Sequence, residues 1–134
     1  MGETRRLWWS NASLIYFKPA ELACPCCGAQ GMQPSTLIML DSLRAAYGKP
    51  ITLSSAYRCE KHNTKIGGAV GSAHMHGWAV DIPCYGGAAI EILKAGLDAG
   101  FTGLEVRQHL RDRFDRWIHF DNAPYPHWPR PGLF

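Results

Sequence analysis

The spacing of hydrophobic positions changes several times along the chain, and each change predicts an element. Leu37, Leu40, Leu43 and Tyr47 recur as on one helix face. Ser35 or Thr36 can cap the start of that helix, and Gly48 with Pro50 stops it. Ile90, Leu93 and Leu97 repeat the pattern over 88–99, with Gly100 as terminator. Elsewhere the period shortens to two: ITLSSAY (51–57), WAVDI (78–82), GLEV (103–106) and RWIHFD (116–121) predict strands. Residues 60–72 predict a long loop, freed by Gly67, Gly68 and Gly71. Residues 7–17 suggest a strand or an arm packed on the core, and 24–35 a turn-rich link. The polar RQHLRDRFD reads as a connection, and PYPHWPRPGLF as an extended surface tail. Together these predict a small single α+β domain over 1–134, with a central antiparallel sheet and flanking helices.

Alternation also points to chemistry. In WAVDI, Val80 and Ile82 face one way and Asp81 the other. In RWIHFD, Ile118 and Phe120 oppose Trp117, His119 and Asp121. Neighbouring strands of this kind would point Asp81 and His119 into one cleft, and SAHMHGWAVD (72–81) brings His74 and His76 to the turn before the first. Two imidazoles and a carboxylate form a common catalytic zinc set whose fourth position is left to water. No HExxH helix motif is present, so the usual zincin arrangement is excluded.

Composition narrows the classes. A hydrophobic share of 46% is ordinary for a globular protein. No apolar run is long enough to span a membrane, and the first residues lack a signal-peptide pattern. A net charge of +3, scattered along the chain, does not argue for nucleic acid. Five cysteines cannot all pair within one chain, so a reducing compartment at synthesis is the simpler expectation, with a Cys59–Cys84 bridge still open. Cys24, Cys26 and Cys27 in CPCCG could offer thiolates to a structural zinc. No fourth ligand is evident, and a packed turn is the expectation there.

Four stretches carry a resemblance: FKPAELACPCCG (17–28), ITLSSAYRCEKHN (51–63), GGAVGSAHMHGWAVDI (67–82) and WIHFD (117–121). They resemble the peptidase M15 family of zinc D-alanyl-D-alanine carboxypeptidases and phage endolysin peptidases, in its small phage-type branch. The pattern Ser-x-x-Arg, Ser-x-His-x-x-Gly-x-Ala-x-Asp and a late strand His spans about 17–121. The resemblance implies a hedgehog/D-Ala-D-Ala-peptidase-like fold and one Zn2+ per chain on His74, Asp81 and His119. It implies that Arg58 binds a substrate carboxylate or carbonyl, and that Ser72 holds substrate or shapes the turn. Gly77 and Ala79 would let the chain pass close to the metal. Asp121 would support the metal from outside its ligand shell, and His62 would organise its loop with Asn63.

The same resemblance implies hydrolysis of an amide bond in a peptidoglycan stem peptide, by an endolysin-like endopeptidase or a D-Ala-D-Ala carboxypeptidase. It implies a monomer that waits in the host cytoplasm until released to the wall. Relatives place an acid or a histidine just before the last ligand; here those positions hold Arg116 and Trp117. Asp115, which would share the strand parity of His119, is the expected general base, with Glu105 and His109 as alternatives. The missing acid keeps a second reading alive, a non-catalytic zinc-containing binding or structural module.

Overall fold

The structure, a computed structural model, describes residues 14–109 and 115–124. Pro34 opens a helix whose N-terminal N–H groups need no partner from it, and Gly48 closes that helix in the left-handed region at φ 79°. The described elements are α1 (Pro19–Leu22), α2 (Pro34–Tyr47), α3 (Glu60–Lys65), a 3-10 turn (Ala73–His76), β1 (Ala79–Pro83), α4 (Gly86–Ala99), β2 (Gly103–Arg107) and β3 (Trp117–Asp121). The three strands form one sheet in the order β1-β3-β2, antiparallel at both junctions. The fold is therefore α+β, as expected.

The two long helices pack on each other, and α4 also meets β3. Leu37, Leu40 and Leu43 join Val80, Ile82, Ile118 and Phe120 in one buried cluster. That cluster occupies the apolar face of the sheet and leaves the opposite face of β1 and β3 to polar groups. No helix of the described residues is long and apolar enough to cross a membrane.

Several expectations need correction. Residues 51–57 form no strand; the segment meets β1 at a single bridge, Ser55 to Asp81, with Ser54 N donating to Asp81 O at 3.0 Å and Asp81 N to Ser55 O at 2.8 Å. Residues 60–72 are not all loop, because Cys59 caps α3: its Sγ accepts from His62 N at 3.3 Å. In α4 the buried face is Ala89, Ile92, Ala95 and Gly96, whereas Ile90 is 71% and Leu97 50% exposed. A Cβ at Gly96 would run into the Phe120 ring. The small residues therefore set how closely the helix approaches, a choice that spacing alone does not fix. Cys59 and Cys84 are not bridged. Cys84 Sγ donates to Ile82 O, and Cys59 Sγ lies 3.4 Å from Cys26 Sγ. Of the expected arm over 7–17, the part before Leu14 lies outside the described residues, as does the tail from 125.

Candidate metal centre

The polar face of the sheet is organised by register. Asp81 on β1 stands directly opposite His119 on β3, and Glu105 on β2 stands opposite the same histidine. Partners in such a row point to one face with Cβ atoms about 4.5–5.5 Å apart. The third donor comes from the 3-10 turn, where Ser72 Oγ accepts from His74 N at 3.3 Å and caps the start. Gly77 ends the turn at φ 78°, and a Cβ there would collide with the Gly31 carbonyl. Its smallness thus serves a close approach to the Gly31–Gln33 backbone. The turn sorts its two histidines: His74 is buried and His76 exposed.

The donor atoms of His74, Asp81 and His119 lie within 4.8 Å of one another. His74 Nδ1 stands 2.8 Å from the Ala56 carbonyl, to which it can only donate, so Nε2 keeps its lone pair. That Nε2 faces Asp81 Oδ1 at 3.1 Å. His119 Nε2 stands 2.9 Å from Asp121 Oδ2, and its Nδ1 faces the same Asp81 oxygen at 2.9 Å. When each outer nitrogen carries its proton, three lone pairs converge on one point, an arrangement that calls for a cation. The outer contacts are those that fix tautomer and ring angle in zinc-binding histidines. The donor set fits Zn2+, and among the described residues no fourth protein donor joins it.

The electrostatics agree. Burial would raise the Asp81 carboxyl, but His74 and His119 outweigh it and hold that group well below the usual carboxylate range. Burial pulls His74 down from its ordinary value, against the attraction of Asp81. Burial works the same way on His119, yet its bonds to Asp121 and Asp81 prevail and raise it.

Arg58 is buried at 7% exposure, beside Asp81. Its Nε donates to Ser55 Oγ at 2.9 Å, Nη1 to Asn63 Oδ1 at 3.1 Å, and Nη2 pairs with Asp81 Oδ2 at 3.5 Å. Burial lowers its pKa while Asp81 opposes the change. The geometry makes it a holder of the outer Asp81 oxygen. Ser72 has no exposed surface, and its bond from His74 N shapes the turn. Asp115 is exposed and precedes β3, which begins at Trp117, so strand parity does not carry it to the ligand face. His109 is exposed as well. Glu105 has the favourable place, in the row of His119, where Arg107 Nε donates to it at 3.1 Å. Sequence reasoning missed the Ala56 carbonyl, which carries no side-chain signal. It also missed Asn63 as the support of Arg58, although Asn63 is a buried polar residue five positions after it.

Comparison with known proteins bears on the same residues. One curated relative is the zinc D-Ala-D-Ala carboxypeptidase of Streptomyces albus G, 35% identical over 68 residues. That match covers 50% of this chain and 27% of the relative, so the chain spans only about a quarter of the relative's length. The family model for Peptidase M15 matches residues 15–121. This span runs from ahead of α1 to Asp121 and takes in every donor of the centre; the chain belongs to the Peptidase M15 family.

Proposed function

We propose that this chain is a zinc-dependent peptidase that hydrolyses an amide bond in peptidoglycan stem peptides. The observation that carries the reading is the convergence of three lone pairs, on His74 Nε2, Asp81 Oδ1 and His119 Nδ1. Their rings and carboxylate are fixed from behind, and no fourth described side chain closes the set. A structural zinc site fills all four positions with protein, whereas a catalytic one keeps a position open. The name of the Streptomyces albus G relative supports the substrate class.

When bound, zinc supplies a Lewis acid that polarises a carbonyl and makes water a better nucleophile at neutral pH. The protein's own groups do the rest. Arg58 fixes Asp81 through its outer oxygen, and its cationic edge is the anchor for a substrate carboxylate or carbonyl oxygen. Glu105, in the row of His119 and part-exposed, takes the proton of the attacking water and returns it to the leaving amine nitrogen. We prefer it to Asp115 on placement alone. The finer reading, a phage-type lytic enzyme held in the host cytoplasm until released to the wall, rests on the likeness to the small phage-type branch.

The test is digestion of purified peptidoglycan with mass analysis of the fragments, using zinc-loaded, chelated and re-loaded protein. Loss of single D-Ala identifies a carboxypeptidase, and release of longer stem fragments an endopeptidase. Lysis of whole cells on external addition supports the lytic reading. Intact peptidoglycan after incubation with fully zinc-loaded protein overturns the proposal in favour of a non-catalytic zinc module.

A further inference from the structure

A second group of metal-binding side chains stands apart from the trio. The sulfurs of Cys24, Cys26, Cys27 and Cys59 all lie within 4.8 Å of one another. Cys26 Sγ is 3.6 Å from Cys24 Sγ and 3.4 Å from Cys59 Sγ. Four thiolates on a tetrahedron at the Zn–S distance of about 2.3 Å stand about 3.8 Å apart. A disulfide needs about 2.05 Å, and all four cysteines are free thiols. The separations of Cys26 from Cys24 and Cys59 come within a few tenths of an ångström of that edge, and the whole group fits inside 4.8 Å.

The backbone prepares the same arrangement. Cys24 N donates to Ala29 O and Gly28 N to Cys24 O, both at 2.8 Å, with Gly28 at φ 74°. These bonds wrap the chain into a tight turn that aims three thiols at one side. Cys24 and Cys27 have the C-x-x-C spacing of zinc-binding turns. The fourth thiol arrives at the cap of α3. Two backbone N–H groups then point at sulfur: Cys59 N at Cys24 Sγ at 3.4 Å, and His62 N at Cys59 Sγ at 3.3 Å. Both contacts fix the position of the sulfur that receives them.

We infer that Cys24, Cys26, Cys27 and Cys59 hold a second zinc ion in a closed tetrathiolate shell. With all four positions filled by protein, this site is structural. It ties the N-terminal turn to the residue that follows Arg58, and so braces the segment that reaches Asp81. The expected packed turn at CPCCG is thus half of a metal site whose fourth ligand lies 32 residues beyond Cys27.

The experiment is metal analysis of protein purified in reductant without chelator, followed by cobalt substitution. Wild type should carry two zinc ions per chain and His119→Ala one. Cobalt-loaded His119→Ala should keep intense thiolate-to-cobalt charge-transfer absorption, and the C24S/C59S variant should lose it. Should those substitutions prevent folding, wild-type protein still decides: modifying the thiols with an organomercurial should release one of the two zinc ions. A single zinc that thiol modification leaves bound, or a disulfide within the group found by mass analysis, overturns the inference.

Discussion

Asp121→Asn is the sharpest probe of the metal centre, because it changes charge and donor pattern while keeping shape. Asp121 is fully buried, with Oδ2 2.9 Å from His119 Nε2 and Oδ1 accepting from Ala123 N at 3.2 Å. An asparagine can satisfy only one of these donors. With its oxygen toward His119, its NH2 opposes the Ala123 N–H. Reversed, its NH2 asks His119 Nε2 for a lone pair, which moves the ring proton to Nδ1, the atom that faces the metal position. Either outcome weakens the site. Loss of such an orienting carboxylate costs about 10- to 100-fold in metal affinity, equivalent to about 1.4–2.7 kcal/mol. Competition against a chromophoric zinc chelator measures this directly, and circular dichroism checks that the variant folds. The cysteine group keeps all of its own ligands, so the larger loss should appear at the trio. Wild-type affinity at the trio in a folded Asp121→Asn protein would refute the claim that the buried carboxylate sets the His119 tautomer.

The remaining predictions address base, pH and turn geometry. Glu105→Gln should lower kcat by about 10²–10⁴-fold with zinc retained, while Asp115→Asn stays near wild type on the same peptidoglycan assay; the reverse pattern would return the base role to Asp115. The raised His119 pKa means that a proton must leave before zinc binds. Affinity at the trio should therefore climb about tenfold per pH unit below that pKa and level off above it; a pH-independent affinity would contradict it. In metal-free protein the same shift has the opposite sense: the stability that His119 contributes is complete below its unfolded value of about 6.5 and disappears as pH rises through its folded pKa. This is seen in urea midpoints across that range. Gly77→Ala must adopt φ 78° and meet the Gly31 carbonyl, so it should cost at least about 1–2 kcal/mol in urea unfolding and loosen zinc at His74. Unchanged stability would show that the turn relaxes freely.

Much of the centre was legible because alternation is a local signal. Asp81 and His119 interrupt otherwise apolar strands at positions of known parity, and the motif around His74 supplied the third ligand. Asp115 shows where that reasoning ends: parity transfers along a strand only as far as the strand runs, and β3 starts two residues later. The helix α4 shows a second limit. Ile90, Leu93 and Leu97 and the smaller set Ala89, Ile92, Ala95 and Gly96 both satisfy a helical period. Fit against Phe120 and α2, a tertiary matter, decides which faces inward. The pairing of Cys59 with the 24–27 turn, like the bond from His74 to the Ala56 carbonyl, depends on distant backbone meeting and leaves no mark in local spacing.

That distance has an energetic consequence for how the domain holds together. The donors of the trio come from the 3-10 turn, β1 and β3, and the cysteines from the N-terminal turn and the cap of α3. Without an ion, the trio confronts lone pair with lone pair across about 3 Å inside a buried site, a cost eased where an imidazole carries a proton toward Asp81. Binding to the native state alone converts metal affinity into folding stability. The trio fastens the sheet to the turn before it, and the thiols fasten the N-terminal turn to the segment carrying Arg58. Because Arg58 also grips Asp81, the two sites share one mechanical path of a few residues. Removing either ion should therefore weaken retention of the other, and zinc titrations of Cys59→Ser and His119→Ala proteins would reveal independent sites if this coupling does not exist.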